Sequence, residues 1–454
     1  MWKFLIGILC LFPVSLFGAE TKNIIWVIGD GMGLDSIGFF TQGVRYGHLP
    51  QYEGKEISDL ENLLNHSVWG LFFNNTYDTL VTDSAAAATQ MATGAWSRPK
   101  MVGLDYDGQP VKTLLEEARE KGKAVGLISD AYVTDATPAA FVAHVKKREN
   151  RYEIARQLVS FGPDVVLGGG LKYFTENENK TLLAQARQQG YHIAQTRSDL
   201  AKINEGKVLG LFAEQALPLT IEMNQSPEIP TLLEQTTKAL SLLEQQKTGF
   251  ILLVEVGKID WAAHANDAGA LFQEMQVMDA LAGYLKNYID AHPDTLLYIN
   301  ADHDTGLVGF QYRHLKSAQV HTEIERGKKL YGGDKDYASF DVYQQFVKQK
   351  HCLYYVEKEL KAMAPKSRTR KVIAQKLSDA LGYEVDMSQF TDLTDISGIF
   401  KTLNTNRGLV FATENHTSLP ILSIAYGAGA ESFGGVYHNT DILSRMQQVL
   451  NWRK

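Results

Sequence analysis

The chain has 454 residues, of which 44% are hydrophobic and 21% are charged, and its formal net charge is −7. This balance is typical of a folded globular protein and excludes a disordered tail, a coiled coil and a collagen-like chain. The acidic net charge disfavours a nucleic-acid partner, because that class of protein needs a basic surface. The only two cysteines, Cys10 and Cys352, cannot build a disulfide framework.

The first nineteen residues predict a signal peptide. Lys3 gives a basic start, residues 4–12 are apolar apart from Gly7, and Gly18 and Ala19 are small residues suited to a cleavage site. The apolar run is too short to span a bilayer, and a buried N-terminal helix is the alternative. Cleavage after residues 1–19 would give a secreted or periplasmic protein without a membrane span.

Apolar runs that alternate with amphipathic patterns predict the fold. Continuous apolar runs bounded by Gly, Asp or Asn indicate strands buried on both faces. We therefore expect an α/β fold, with a mostly parallel central sheet, helices on both faces and ligands at the carboxyl ends of the strands. The predicted strands are Asn23–Gly29, Lys123–Ser129, Val165–Leu167, Phe250–Val256, Thr295–Asn300, Leu409–Thr413 and Ile421–Tyr426, and the helical patterns include Val111–Lys121, Arg151–Phe161, Leu232–Gln246 and Leu271–Ile289.

Acidic residues and histidines follow many of these strands. A cluster of carboxylates at one sheet edge would repel itself, and bound cations would compensate the charge. Taken singly, an Asp after a strand is commonly a turn or cap residue, and Asp260 with His264 at i,i+4 also fits a surface pair. A dinucleotide site is disfavoured, because Ser36 stands where its glycine fingerprint needs the third glycine. The acidic residues and histidines in question are Asp30, Asp135, Glu255, Asp260, His264, Asp302, His303 and His416, and Thr137 adds a hydroxyl to them.

The segment from Thr79 to Gly94 contains a candidate nucleophile. Ser84 precedes four alanines that favour a helix, and a helix N-terminus favours negative charge. This position suits an alkoxide that receives an anionic group, although Asp83 or Ser84 could simply cap the helix. Further along, Arg148 could bind two phosphate oxygens, or it could belong to a basic surface turn.

Six motifs, taken together and in this order, resemble the metal-dependent alkaline phosphatase family of the bacterial secreted type. The resemblance covers about residues 23–310 and 406–454 and implies the fold of that family. It implies an enzyme that hydrolyses small phosphate monoesters to an alcohol and inorganic phosphate. The motifs are IGDGMG around Asp30, TDSAAAAT around Ser84, DATPAAFVAHVKKR from Asp135, VEVGKIDWAAHAND around Glu255, ADHDTG around Asp302 and ENHTS around His416.

The resemblance also implies roles for individual residues. Ser84 would be the nucleophile that becomes phosphorylated, Arg148 would bind the phosphate oxygens, and Asp83 would orient the arginine. The implied cofactors are two zinc ions and one magnesium ion. One zinc would be held by Asp260, His264 and His416, the other by Asp30, Asp302 and His303, and the magnesium by Asp30, Thr137 and Glu255, with Asp135 holding a magnesium-bound water. Trp261 occupies a position that varies in the family and bears on the metal preference of the third site.

The interval between His303 and His416 is far longer than a sheet connection needs. We interpret residues 311–405 as a largely helical insertion, with helices at Phe340–Met363 and Thr369–Leu381, inside a catalytic domain of residues 20–310 and 406–454. Residues 311–371 carry a net charge of +7, which predicts either a positive rim for anionic substrates or an ordinary solvated surface.

Two further expectations concern assembly and function. Relatives carry insertions that shape the site entrance or embrace a second subunit, which implies a possible homodimer. The rival function is a non-catalytic periplasmic protein that binds phosphate or metal, and such a protein would not need the hydroxyl of Ser84.

Overall fold

A computed structural model describes residues 20–314, 324–326, 329–331, 335–388, 390 and 392–453. The signal peptide predicted for residues 1–19 lies outside this described part. Within it, none of the helices combines the length and apolarity that crossing a bilayer demands.

The strands give the fold its frame, and we number them in chain order. They are β1 (Asn23–Gly29), β2 (Val68–Phe73), β3 (Ala124–Tyr132), β4 (Val165–Gly169), β5 (Tyr191–Ala194), β6 (Lys207–Leu211), β7 (Phe250–Val256), β8 (Thr295–Asn300), β9 (Asp304–Thr305), β10 (Val308–Phe310), β11 (Arg313–His314), β12 (Ile324–Arg326), β13 (Lys329–Tyr331), β14 (Lys335–Asp336), β15 (Leu409–Phe411), β16 (His416–Thr417), β17 (Ile421–Gly427) and β18 (Gly435–His438).

Ten of these strands form one sheet in the order β18-β2-β17-β8-β1-β7-β3-β4-β6-β5. Only β17 runs antiparallel to its neighbours, β2 and β8, and the other pairs are parallel. All residues of β1, β7 and β8 are buried, as continuous apolar strands covered on both faces should be. The predicted α/β fold with a mostly parallel central sheet is confirmed.

The helices fill the connections between strands. Thr113 and Thr231 start two of them with capping boxes, which satisfy the first free N–H groups of each helix. The helices are α1 (Leu34–Tyr46), α2 (Asp59–His66), α3 (Ser84–Thr93), α4 (Leu114–Glu120), α5 (Ala136–Ala139), α6 (Arg151–Phe161), α7 (Lys172–Thr175), α8 (Leu182–Gln188), α9 (Arg197–Lys202), α10 (Leu232–Leu243), α11 (Lys258–His264), α12 (Ala268–Ala291), α13 (Val342–Lys348), α14 (Leu353–Ala362), α15 (Arg370–Leu381), α16 (Ile396–Asn406) and α17 (Asp441–Val449).

One predicted strand lies outside the main sheet. The run predicted at Leu409–Thr413 forms β15, which pairs antiparallel with β10. Leu409 and Phe411 are buried and Val410 is half-buried, so the strand is fully covered on one face only. Conversely, β2 belongs to the main sheet although no apolar run predicted it. Its residues Trp69, Leu71 and Phe73 are exposed.

The region of residues 311–405 contains short antiparallel pairs followed by α13–α16. The single helix predicted at Phe340–Met363 is wrong, because α13 and α14 are separate helices. The buried carboxylate of Asp267 causes the break: it accepts hydrogen bonds from Leu353 N at 2.6 Å and from Gln349 Nε2 at 2.7 Å. Tyr343 of α13 packs into the main core, whereas residues of α14–α16 form a second hydrophobic core.

Candidate active site

The candidate residues lie at the carboxyl ends of the central strands. Asp30 directly follows β1, Glu255 is the penultimate residue of β7, and Asp302 and His303 follow β8. Because β1 lies between β7 and β8 and is parallel to both, these strand ends meet at one sheet edge. The short pair β9–β16 brings His416 to the same edge. Four separate chain segments therefore supply one site.

Ser84 stands at the N-terminus of the buried helix α3. Asp83 is the N-cap, and its Oδ1 accepts a hydrogen bond from Ala86 N at 3.0 Å. Every residue of α3 is buried, which its small alanine side chains allow. Ser84 Oγ lies 3.2 Å from Nε2 of His303. The hydroxyl thus stands where free N–H groups and the helix dipole favour negative charge.

The guanidinium of Arg148 lies between two carboxylates. Its Nη1 donates to Asp83 Oδ2 at 3.4 Å, and its Nη2 donates to Asp135 Oδ1 at 3.2 Å. Arg151 donates to the same Asp135 oxygen at 3.1 Å and stacks 4.1 Å from the ring centroid of Tyr132. Burial alone would raise the pKa of Asp135, but the charges of Arg151 and Arg148 hold it below its usual range. Arg148 is therefore fixed beside the serine helix.

Asp260, His264 and His416 converge on one point. The Nε2 atoms of the two histidines lie 3.1 Å apart, and Asp260 Oδ1 lies 3.4 Å from that of His264 and 3.8 Å from that of His416. The Nδ1 atoms face carbonyl oxygens instead, of Glu414 at 2.5 Å and of Thr82 at 2.9 Å. Because carbonyls only accept, these contacts favour hydrogen on both Nδ1 atoms, which leaves Nε2 as the ring atom suited to bind a cation.

A second group of possible ligands contains Asp30, Asp260 and His303, whose donor atoms all lie within 4.8 Å of one another. This group has Asp260 where the sequence interpretation has Asp302. Asp302 is nevertheless close, since its Oδ2 lies 3.2 Å from His303 Nε2 while its Oδ1 accepts from Gly31 N. Among the described residues, nothing donates a hydrogen bond to the buried Oδ1 of Asp30 or Oδ2 of Asp302.

Oxygen atoms dominate the neighbouring part of the site. Glu255 is buried and accepts a short hydrogen bond from the hydroxyl of Ser129. Burial and the charge of Asp135 raise the pKa of Glu255 well above its usual range, and the hydroxyls of Ser129 and Thr137 oppose this rise. Carboxylate and hydroxyl oxygens of this kind suit magnesium.

Electrostatics at the sheet edge call for added positive charge. Burial, followed by the charges of Asp302 and Asp260, raises the pKa of Asp30 well above its usual range. Burial and Asp260 likewise raise the pKa of Asp302 to about 6. Burial and the nearby His416 lower the pKa of His303 well below its usual value, which keeps the imidazole neutral. Crowded carboxylates beside imidazole nitrogens are the donor set that a divalent cation compensates, so these residues fit metal ions.

Sequence reasoning missed several residues that support this site. Arg151 shares Asp135 with Arg148, and Thr305 Oγ1 donates to Asp260 Oδ1 at 2.6 Å. The signals were available, since Arg151 follows Arg148 by three residues and Thr305 belongs to the ADHDTG motif. The buried amine of Lys258, 3.3 Å from the ring centroid of Trp261, had no such signal.

The fold and the converging donor groups define an α/β protein with a candidate metal centre at its strand ends. Residues 21–452 match the family model described as alkaline phosphatase. The chain belongs to the alkaline phosphatase family.

Known relatives agree with this assignment. Alkaline phosphatase 4 of Bacillus subtilis (strain 168) is 30% identical over 444 residues, which cover 96% of this chain and 90% of the relative. Alkaline phosphatase H of Pseudomonas aeruginosa (strain UCBPP-PA14) is 33% identical over 339 residues, covering 64% and 70%. The structure of Thermus thermophilus alkaline phosphatase superposes with a TM-score of 0.81 at 25% identity, covering 96% and 93% of the two chains. The crystal structure of a cold-active alkaline phosphatase from Shewanella sp. superposes with a TM-score of 0.75 at 29% identity, covering 94% of this chain and 99% of that one.

The family assignment confirms the predicted resemblance and the predicted class of enzyme. Alkaline phosphatases are metal-dependent phosphoric monoester hydrolases, and this chain is an enzyme of that class. The rival interpretation, a non-catalytic binding protein, loses its support.

Proposed function

We propose that this enzyme hydrolyses phosphate monoesters by two successive phosphoryl transfers, first to Ser84 and then to water. In the first transfer Ser84 Oγ bonds to phosphorus, the ester P–O bond breaks, and the alcohol leaves with a proton. In the second, a water oxygen bonds to phosphorus, the bond between Ser84 Oγ and phosphorus breaks, inorganic phosphate leaves, and Ser84 Oγ receives a proton from the water. The observation that carries the proposal is the Ser84 hydroxyl at a helix N-terminus, 3.2 Å from His303 Nε2.

The surrounding residues have separate tasks in this scheme. Arg148, held by Asp83 and Asp135, binds oxygens of the phosphoryl group through its remaining N–H groups. Arg151 keeps Asp135 in place, and it therefore acts on the arginine clamp and not on the substrate. The first N–H groups of α3 add further donors to the same anion.

We propose two zinc ions and one magnesium ion as the cofactors. Carboxylate–imidazole sets suit zinc and an all-oxygen set suits magnesium. When bound, these ions supply Lewis-acid chemistry, which favours deprotonated oxygen and neutralises phosphoryl charge. One zinc set is Asp260, His264 and His416. The other is Asp30, Asp302 and His303, and Asp260 also lies close to it. The magnesium set is Asp30, Thr137 and Glu255, with Asp135 holding a water ligand.

Replacement of the nucleophile tests the scheme. Ser84→Ala should lower kcat/KM for 4-nitrophenyl phosphate by about 1,000-fold or more, because the hydroxyl that accepts the phosphoryl group is removed. Acid-quenched wild type should show phosphate on the peptide that contains residue 84, and the variant should show none. Ser444→Ala, on α17, is the control and should behave as wild type. Activity of Ser84→Ala within tenfold of wild type, or phosphate on another residue, would contradict the proposal.

Export and assembly are also part of the proposal. We propose that residues 1–19 direct the chain to the periplasm or the exterior, and that two chains form a homodimer. The exposed side chains of Trp69, Leu71 and Phe73 on β2, with Val436 on the adjacent β18, support association because they form an apolar surface. N-terminal sequencing of the exported protein and its mass in solution test the two statements. An intact N-terminus or a monomeric mass would contradict them.

A further inference from the structure

We infer that helices α14 and α16 form a pocket for the alcohol part of the substrate, and that this pocket selects phosphate esters of aromatic alcohols. The inference rests on the phosphoryl transfer to Ser84 proposed above. It concerns which ester is accepted, whereas the proposed function concerns how any ester is cleaved.

A cavity of about 820 Å³ lies beside the candidate metal centre. Asp260 and His264 line one side of it, and residues of α14 and α16 line the other. We call it the α14/α16 cavity. Its volume lies within the range of about 300–1,000 Å³ that is usual for pockets holding small organic molecules. The cavity is thus large enough for an aromatic ring system.

The cavity lies on the side of the site that faces away from the nucleophile. Ser84 Oγ is 3.2 Å from His303 Nε2, the ring of His303 stacks on that of His416 with centroids 3.6 Å apart, and His416 Nε2 is 3.1 Å from His264 Nε2. His264 lines the cavity, but Ser84 and Arg148 do not. The imidazole rings of His303, His416 and His264 therefore form a continuous row of contacts from Ser84 to the cavity.

In-line displacement fixes where the alcohol must go. The attacking and leaving oxygens lie on opposite sides of phosphorus. If Ser84 Oγ attacks from the α3 side, the alcohol oxygen leaves toward Asp260 and His264. The rest of the alcohol then extends into the α14/α16 cavity, because these two residues form part of the cavity wall.

Aromatic side chains form much of the wall. Trp261 of α11, Tyr354 and Tyr355 of α14, and Phe400 of α16 all line the cavity. Aromatic rings pack well on one another in stacked or edge-to-face arrangements. A small alcohol such as ethanol has few atoms to pack on this wall and gains little from it.

Two acidic residues of the wall, Glu357 and Asp395, make contacts within the protein. Glu357 accepts a hydrogen bond from Ser397 Oγ at 2.9 Å and pairs with Lys361 at 2.7 Å. Asp395 caps α16 by accepting from Gly398 N at 2.9 Å. These contacts hold the two carboxylates in place at the edge of the aromatic wall.

Truncation of an exposed wall residue tests the inference. The side chain of Tyr354 is half exposed, so Tyr354→Ala should remove a contact surface without opening a hole in the core. We expect kcat/KM for 2-naphthyl phosphate to fall by about tenfold, and that for ethyl phosphate by less than about twofold. Phe400→Leu, which keeps an apolar side chain in the second core, should show the same selective loss. Tyr354→Phe should retain the wild-type ratio.

Matched measurements separate the possible causes. Tyr337→Ala removes an exposed tyrosine that does not line the cavity, and it should change neither substrate. Inhibition by inorganic phosphate should be unchanged in Tyr354→Ala, because the phosphate site is intact, whereas inhibition by 2-naphthol should weaken. Equal losses for both esters, or no loss for either, would overturn the inference. If wild type hydrolysed neither ester, or Ser84→Ala remained active, the proposed function itself would fail.

Discussion

Replacement of Arg148 by alanine tests the electrostatics of the phosphate clamp. A guanidinium has five N–H donors, and Arg148 uses one on Asp83 and one on Asp135, so donors remain for the substrate. Its side chain is only 24% exposed, which makes its hydrogen bonds to an anion stronger than those of a surface pair. We expect Arg148→Ala to lose about 2–4 kcal/mol of transition-state stabilisation, or about 30-fold to 900-fold in kcat/KM.

The structure adds a second, more specific expectation. Without Arg148, the carboxylates of Asp83 and Asp135 face the incoming phosphate with less compensating charge, and part of the loss is repulsion. Asp83→Asn keeps a residue that caps α3 well but removes one negative charge. The double variant Arg148→Ala/Asp83→Asn should therefore be more active than Arg148→Ala alone.

The assay compares kcat/KM for a monoester and a diester of the same phenol, together with inhibition by inorganic phosphate. A diester has fewer free oxygens and less charge than a monoester, so it should lose less in Arg148→Ala. Equal losses for both esters would show that Arg148 does not act on the extra oxygen. A double variant no better than the single one would refute the repulsion argument.

Three other perturbations follow from the contacts described. Chelation should abolish activity, and zinc with magnesium should restore it better than either alone; full recovery with magnesium alone would contradict the zinc sets. The Glu116 hydrogen bond, at 3.0 Å, raises the pKa of His144, while the pKa of Glu116 is lowered by His144 although burial opposes this. Both groups are charged between about pH 4.5 and 6.5, where the pair stabilises the folded state fully. This stabilisation is lost as pH rises through the raised pKa of His144 or falls through the lowered pKa of Glu116. Glu116→Gln should thus cost about 1 kcal/mol of unfolding free energy at about pH 6 but less at about pH 9, whereas an equal cost at both would refute a charged pair. Asp267→Ala should lower the free energy of unfolding in urea by about 3 kcal/mol, because Leu353, Gln349 and Ala270 lose their acceptor. Asp267→Asn keeps one acceptor oxygen and should cost less. Equal costs would contradict the role of Asp267 as acceptor.

Three strands buried on both faces were predicted from the sequence to the residue, whereas the predicted Lys123–Ser129 and Val165–Leu167 extend further, as Ala124–Tyr132 and Val165–Gly169. Asn23–Gly29, Phe250–Val256 and Thr295–Asn300 have the predicted bounds, because an unbroken apolar run ends where polar residues of the site begin. The strand Val68–Phe73 was not predicted, since its exposed aromatic residues give no pattern of burial. Local sequence signals thus sufficed for the three central strands and failed for Val68–Phe73, which has one face in solvent, and for the short buried strand Lys207–Leu211.

Contacts between distant segments explain the remaining differences. The break between α13 and α14 depends on Asp267, which lies 86 residues before Leu353, so no local pattern contains it. The second arginine on Asp135 and the proximity of Asp260 to both ligand groups are likewise products of the fold. The motifs indicated which residues belong to the site, but only the three-dimensional arrangement shows which neighbours they share.

The pairing of β10 with β15 has a consequence for how this enzyme could be modified. Phe310 and Leu409 are partners in that antiparallel ladder, so the two ends of the segment between them lie side by side. Closing a longer loop across such a junction costs only about 0.6 kcal/mol for each doubling of its length. The part of the segment beyond α13 can therefore vary in length at little cost in loop closure, whereas α13 must stay, because Tyr343 packs into the main core. If the α14/α16 cavity selects the alcohol as inferred, preference for the alcohol can change through this variable part while the residues that cleave the ester stay the same.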